Sequence, residues 1–258
     1  MKKVLTIAGS DCSGGAGIQA DLKTMTVHKV FGMSVITAIT AQNTLGVTAI
    51  EDVSPDVIAA QMDAVFTDIF PDAVKIGMVS NIQTIEIIAN KLLQYQAKNI
   101  VLDPLMVSTS GTRLIAEDEI AALEKKLFPI ANLITPNLYE AEILSGFSIR
   151  TVDEMKSAAQ KIFEKYKVAV LIKGGHLESG KMDILFGGQW KCFDGKLIEN
   201  PNTHGTGCTL SSAIASNLAL GKSLEESVAS AKAYVAGAIA DGLAIGSGRG
   251  PLNHMYHL

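Results

Sequence analysis

The stretch Val4-Leu5-Thr6-Ile7-Ala8-Gly9-Ser10-Asp11-Cys12-Ser13-Gly14-Gly15-Ala16-Gly17-Ile18-Gln19-Ala20-Asp21 decides the fold. Its short apolar run predicts a strand over Val4 to Ala8, followed by a glycine-rich turn. A helix then runs from Gly17 to His28, and the next strand from Ser34 to Thr40. The same alternation continues along the chain. Ser54-Pro55 supplies an N-cap and an N1 proline for a helix towards Ile69. A strand at Ala73 to Ile76 and a helix near Ile82 to Tyr95 follow. Short strands at Ile100 to Leu102 and Leu133 to Thr135 bracket a helix around Glu117 to Leu127. Thr151 and Glu154 form a capping box that opens a helix to about Tyr166. Val168 to Lys173 is a strand, and Ile184 to Phe186 with Trp190 to Phe193 reads as a hairpin across Gly187-Gly188-Gln189. The last third is helical, with one segment after Gly207 and another from the Ser223/Glu226 capping box to about Ala244. Strand-helix-strand alternation implies an α/β fold, a mostly parallel sheet covered by helices on both faces. The hairpin adds a small antiparallel edge. No linker or repeat interrupts residues 1–258, so one domain is expected.

Composition narrows the class. Of 258 residues, 48% are hydrophobic and 19% charged, which excludes a disordered or fibrous chain. The longest apolar runs, such as Val168 to Ile172, are too short to cross a bilayer. Lys2-Lys3 before an apolar run could open a signal peptide, but the run stops at Gly9-Ser10-Asp11 without a cleavage pattern, so a first strand is the better reading. Cys12, Cys192 and Cys208 are odd in number and widely spaced, as in a reducing, cytoplasmic setting. The net charge of −4, without a basic stripe, argues against nucleic acid. It also means that an anionic substrate must be held by helix N-termini, backbone amides and a few lysines.

Ligands of such sheets gather at the carboxyl ends of strands. After the first strand, Gly9, Gly14, Gly15 and Gly17 fit neither a P-loop nor a dinucleotide fingerprint. They let backbone approach a ligand, or they make an ordinary turn. Asp21, on the following helix, reads by itself as a solvated face residue. Thr40-Ala41-Gln42-Asn43-Thr44 offers neutral hydrogen-bonding groups that suit a heterocycle better than a phosphate. Gly77-Met78 offers close backbone and a soft apolar wall. Asp103 at a strand end could serve Mg²⁺, ahead of Ser108-Thr109-Ser110-Gly111-Thr112. Asn137 and Glu140 could orient Mg²⁺-bound waters or cap a helix. Lys173-Gly174-Gly175-His176 is a candidate phosphate contact.

His204-Gly205-Thr206-Gly207-Cys208 opens a helix of small residues. Its first-turn amides and dipole make an anion site, and the same position favours a thiolate at Cys208. Zinc at His204 and Cys208 lacks a second ligand pair. A Cys-His nucleophile lacks both the geometry and a hydrolase context.

Taken in order, Gly9-Ser10-Asp11 with Gly14 to Asp21, Ala41 to Thr44, Lys75 to Met78, Thr135-Pro136-Asn137 with Glu140-Ala141, Lys173 to His176 and His204 to Thr209 resemble the hydroxymethylpyrimidine/phosphomethylpyrimidine kinases of thiamine biosynthesis. The match runs from about residue 4 to Gly250-Pro251. The resemblance implies a ribokinase-like three-layer α/β/α fold without a separate lid domain. It implies two ATP-dependent phosphorylations, of 4-amino-5-hydroxymethyl-2-methylpyrimidine and then of its monophosphate. By position, Gly9, Asp21, Thr40, Gln42, Met78 and Leu105 would line the pyrimidine pocket, with Gln42 on the aminopyrimidine edge. Asn137, Glu140 and Lys173 would serve ATP, and Asp103 and Glu140 would serve Mg²⁺; the adenine pocket is poorly marked, and Lys232 on the late helix is a separate candidate for it. Gly205, Thr206 and Gly207 would form the anion hole, with Cys208 as base. Most ribokinase relatives carry Asp at that last position; the thiol marks the vitamin-kinase branch. A monovalent cation and a homodimer belong to the same set of expectations.

Two alternatives stand beside this reading. Pyridoxal kinase shares the glycine-rich start and the Gly-Cys ending, but Ala41-Gln42-Asn43-Thr44 sides with the pyrimidine enzymes. A thiol that adds to aldehydes leaves room for dual activity. A non-catalytic vitamin or nucleotide sensor would have dispensed with Cys208, Lys173 or the Gly205/Gly207 pair, and all of these are present.

Overall fold

A computed structural model describes residues 1–107, 115–175, 181–195 and 198–258. Nine strands and eight α-helices alternate along it: β1 (Lys3–Asp11), α1 (Gly17–Val27), β2 (Phe31–Asn43), β3 (Gly46–Asp52), α2 (Pro55–Asp68), β4 (Ala73–Ile76), α3 (Ile82–Gln94), β5 (Ile100–Leu102), α4 (Glu117–Ala122), β6 (Leu133–Ile134), α5 (Leu138–Ser145), α6 (Val152–Tyr166), β7 (Ala169–Ile172), β8 (Lys181–Phe186), β9 (Trp190–Gly195), α7 (Thr206–Ala219) and α8 (Leu224–Ala240). The chain groups into two compact units, residues 1–101 with 198–258, and residues 102–197.

In the first unit the strands lie in the order β3-β2-β1-β4; in the second they lie β6-β7-β8-β9, and β5 falls on the boundary. β1 pairs in parallel with β2 and β4, and β6 with β7. Strands β4, β5 and β6 are buried at every residue. A strand covered on both faces reads as such a continuous run rather than as an alternation. The mostly parallel sheet flanked by helices is as expected, and so is the β8-β9 hairpin.

Three features depart from the sequence reading. An antiparallel strand, β3, folds back on β2, and all seven of its residues are exposed. It has no buried face, so it carries no core pattern to read. The helix expected over Glu117 to Leu127 is α-helical only to Ala122. It widens to a π turn over Leu123–Leu127, then tightens to a 3₁₀ turn over Phe128–Ile130 with Pro129 inside it. Ser54 sits at the N-cap of α2 without bonding through its side chain, so Pro55 at N1 is the signal that holds there. The Thr151/Glu154 and Ser223/Glu226 capping boxes are both formed.

The C-terminal tail is docked by a buried histidine. His254 is 3% exposed, and its Nε2 lies 3.0 Å from Thr209 Oγ1 on the first turn of α7. Tyr234 on α8 donates to the His254 carbonyl at 2.9 Å. Burial, with nearby Lys23, pushes the His254 pKa down to about 4 from 6.5. The folded state therefore favours the neutral ring. Its contribution is complete above pH 6.5 and is lost as pH falls towards 4, because the unfolded chain takes up the proton first. The loss amounts to about 3 kcal/mol. Urea unfolding at pH 7 and pH 4 should show this drop in the native chain, and a visibly smaller one in His254→Gln.

Candidate active site

In the first unit the glycine-rich turn is organised by Asp11, the last residue of β1. Its carboxylate accepts from Ser13 N at 2.9 Å, Ser13 Oγ at 2.7 Å, Gly15 N at 3.2 Å and Ala16 N at 2.8 Å. His204 Nε2 lies 2.9 Å from the same carboxylate. Burial opposes the charge, but the bonds from Ser13, His204 and Ala16 outweigh it and hold the Asp11 pKa below its ordinary value. The turn and the segment before α7 thus meet on one carboxylate.

They also meet through backbone. Gly205 is the N-cap of α7, with φ +84°, and a Cβ there would lie 1.9 Å from the Gly15 carbonyl oxygen. A Cβ on Gly15 would lie 2.4 Å from the His204 ring. Both glycines are required by close approach, and Gly205 by its left-handed backbone as well. Thr206, Gly207 and Cys208 form the first turn of α7, where helix amides face outward and attract anions. Gly205→Ala should cost about 1–3 kcal/mol in stability and displace the first turn. A thermal melt paired with turnover would check this, with turnover falling at least ~10-fold.

Gly9, Thr40, Gln42 and Met78 come together with this turn. A Cβ on Gly9 would strike Met78 Cε at 2.6 Å, so the glycine makes room for that side chain. Thr40 Oγ1 donates to the Ser10 carbonyl at 2.8 Å, and Thr37 Oγ1 holds the Met78 carbonyl at 2.7 Å. Gln42 Nε2 lies 3.4 Å from His204 Nε2.

Asp21 is not the solvated face residue that its place on a helix suggests by itself. It is wholly buried, and its carboxylate takes Thr6 Oγ1 at 2.6 Å, Lys75 Nζ at 2.8 Å and Ser212 Oγ at 2.5 Å. It anchors α1, β1, β4 and α7 beneath the turn. Lys75 is also wholly buried, and Gly77 leaves the space its ammonium occupies. A lysine inside the otherwise apolar run Ala73 to Ile76 was the available signal, since such a charge is buried only when paired.

The second unit gathers Asp103, Asn137, Glu140 and Lys173. Lys173 Nζ lies 2.9 Å from Asp103 Oδ1, which also accepts from Thr135 Oγ1 at 3.1 Å. Asn137 and Glu140 cap α5 reciprocally: Glu140 N donates to Asn137 Oδ1 at 3.0 Å, and Asn137 N to Glu140 Oε2 at 2.7 Å. The other Glu140 oxygen takes the Met106 and Val107 amides, and Asn137 Nδ2 donates to the Val107 carbonyl. Of the two readings of this pair, capping is the one realised in these contacts. Burial, opposed by Lys173 and reinforced by Asp103, raises the Glu140 pKa. Leu105, half-buried in this unit, has a positive φ of 45°. Ser108 to Thr112 and His176 lie outside the described residues. Lys232 is on α8, half-buried.

Mg²⁺ bound with a nucleotide needs one or two carboxylates, because phosphates and waters supply the rest. Asp103 fits that need. Its Oδ2 is buried and has no hydrogen-bond partner among the described residues. Among the described residues there is no cluster of three or more His, Cys, Asp or Glu side chains that could hold a metal without such help.

The glycine-rich turn, the N-terminus of α7 and the neutral loop at Gln42 meet through Asp11, His204 and Gly205. Residues 11–253 match the family model described as phosphomethylpyrimidine kinase, and the chain belongs to that family. It is 52% identical to the hydroxymethylpyrimidine/phosphomethylpyrimidine kinase of Rhizobium meliloti, over 98% of this chain and 96% of that protein. It is 49% identical to the thiamine biosynthesis bifunctional protein ThiED of Geobacter sulfurreducens, spanning 98% of this chain and about half (52%) of that protein. Among solved structures, an ADP complex of Bacillus subtilis pyridoxal kinase is 39% identical, with a TM-score of 0.90 over 98% of this chain and 97% of that one. The chain is a kinase with a ribokinase-like fold.

Proposed function

We propose that this protein transfers the γ-phosphoryl group of ATP to 4-amino-5-hydroxymethyl-2-methylpyrimidine, and then to the resulting monophosphate, in thiamine biosynthesis or salvage. The observation that carries the reading is the junction at Gly15 and Gly205, which sets the first turn of α7 against the glycine-rich turn in the same unit as Gln42 and Met78. Phosphoryl transfer asks mainly for positioning and charge neutralisation. In this reading the hydroxymethyl proton passes to the Cys208 thiolate as the oxygen attacks phosphorus. The bond to the leaving ADP oxygen breaks, and the amides of Gly205 to Cys208 hold the equatorial oxygens. Gly9, Thr40, Gln42 and Met78 contain the pyrimidine, and the family resemblance assigns Leu105 and Asp21 to the same substrate. Lys173, Asn137 and Glu140, with Lys232 on α8, serve the nucleotide. Asp103, through the buried Oδ2 that has no hydrogen-bond partner among the described residues, would hold Mg²⁺ with Glu140, and the ion supplies neutralisation of phosphate charge when bound.

Residues 1–258 are taken as one kinase domain without a separate lid, which limited proteolysis would test. A monovalent cation is part of the same reading, tested by comparing rates in potassium and choline salts. A cytoplasmic setting is supported by three free cysteines. Among the described residues no helix is long and apolar enough to cross a membrane. A homodimer is supported by β3, which ends the strand order and carries exposed Val47 and Ile50 next to exposed Leu45 and Ile39. An apolar free edge of this kind invites a second copy. Light scattering should report a dimer, and Leu45→Lys/Ile50→Lys should report a monomer.

The second reading, pyridoxal kinase, is favoured by the likeness to the B. subtilis structure. The two readings are separated by kcat/KM for the pyrimidine and for pyridoxal. At least a tenfold preference for the pyrimidine is expected, and a preference for pyridoxal overturns the proposal.

A further inference from the structure

The hydrogens around Gln42 are over-subscribed. Thr40 Oγ1 has one hydrogen, which goes to the Ser10 carbonyl at 2.8 Å, yet the hydroxyl also sits 3.1 Å from Gln42 Oε1. On the other side Gln42 Nε2 faces His204 Nε2 at 3.4 Å, while that ring nitrogen lies 2.9 Å from Asp11 Oδ2. A carboxylate accepts only, so the 2.9 Å contact requires a hydrogen on His204 Nε2. This holds whether the ring is neutral or doubly protonated. His204 Nε2 therefore cannot accept from the Gln42 amide nitrogen. Two acceptors meet at Thr40 and two donors at His204.

Turning the Gln42 amide over by 180° removes both conflicts. Its nitrogen then donates to Thr40 Oγ1, and its oxygen becomes the second, longer acceptor (3.4 Å) of the one His204 N–H whose shorter branch (2.9 Å) goes to Asp11. The two ends of an amide differ little in shape, so hydrogen bonding decides its orientation.

We propose that Asp11 and His204 are positioning residues that set the orientation of the Gln42 amide, and so decide which order of donor and acceptor the site reads on a substrate edge. Asp11 fixes the His204 hydrogen on Nε2, which bars the Gln42 nitrogen from that side and leaves the Gln42 oxygen there as a second, longer acceptor; Thr40 fixes the nitrogen from the other side. The substrate class selected is a planar nitrogen heterocycle whose exocyclic amino donor adjoins a ring-nitrogen acceptor. Exchanging the amino group for an oxo group reverses that order, and a site of fixed orientation rejects the reversal because a buried polar pair is left unmatched. The inference rests on the proposed function only in assigning Gln42 to the substrate edge.

Two measurements test it. The first is the ¹⁵N–¹H spectrum of ¹⁵N-histidine-labelled protein, with His204 assigned by its loss in His204→Ala. A hydrogen on Nε2 is expected, and a neutral ring protonated only on Nδ1 overturns the proposal without reference to any substrate. The second is steady-state kinetics of native enzyme and His204→Ala on the aminopyrimidine and on its 4-oxo counterpart. The variant should raise KM for the aminopyrimidine at least ~10-fold while kcat stays within ~3-fold, and its preference for amino over oxo should shrink at least ~10-fold. If kcat falls alone and the amino/oxo ratio is unchanged, the pair has only a structural role. If His204→Ala does not fold, the spectrum of the native protein decides alone, with His204 assigned by elimination against variants of the other four histidines. Native enzyme that fails to phosphorylate the aminopyrimidine with ATP contradicts the proposed function, whereas the His204 spectrum stands apart from that outcome.

Discussion

Cys208→Ala is expected to lower turnover at least ~100-fold while leaving the fold intact. Cys208 lies on the first turn of α7 and is half-buried, so removing its sulfur opens no large core cavity. A positioned base contributes on the order of 10² to 10⁴ in rate, equivalent to about 3 to 5 kcal/mol of barrier. Turnover under saturating ATP and pyrimidine, together with a thermal melt, separates the outcomes. Loss of rate with the melt within a few degrees supports the base. Near-native kcat would leave the anion hole as the whole catalytic device at that end of the helix.

Asp21→Ala should have the largest effect on stability. The carboxylate and the Lys75 ammonium are both wholly buried, and three donors converge on Asp21. Removing one partner leaves a charge in the core and costs about 3–5 kcal/mol. That is a large fraction of the 5–15 kcal/mol typical of a whole domain. Replacing both partners with apolar groups, as in Asp21→Leu/Lys75→Met, removes the stranded charge and should recover at least half of the loss. The coupling emerges from a double-mutant cycle in urea. An Asp21→Ala cost below ~1 kcal/mol would show that water reaches the pair.

These two residues also show what sequence could and could not convey. The parallel sheet was legible because buried strands such as β4 and β7 are written as short apolar runs between helical periods. Capping boxes at Thr151 and Ser223 marked two helix starts through their own hydrogen bonds. β3 was missed because an exposed edge strand has no inward face to leave a pattern. The glycines at 15 and 205 were visible as glycines, but their mutual contact spans some 190 residues, and no local rule reports it. Asp21 shows the same limit. A helical aspartate reads as solvated until the lysine in β4 and the serine in α7 are seen to meet it.

In the candidate site, the segments were legible as a set and their internal bonding was not. Asn137 and Glu140 carried two readings at a spacing of three, and only the hydrogen-bond partners distinguish capping from water-orienting. Asp11 and His204 lie 193 positions apart, so their shared hydrogen bond had no sequence signature. Asp103 kept its expected strand-end position, and its buried oxygen, without a partner among the described residues, added the chemical reason for placing a cation there.

The central claim, that the chain phosphorylates the aminopyrimidine twice, is tested most directly by resolving products over time. Purified protein would be supplied with ATP, Mg²⁺ and 4-amino-5-hydroxymethyl-2-methylpyrimidine, and mono- and diphosphate would be separated chromatographically. The account predicts that monophosphate appears first and is then converted to diphosphate, with one ATP consumed at each step. ATP turnover that ignores the pyrimidine, or a monophosphate that never advances, would contradict it.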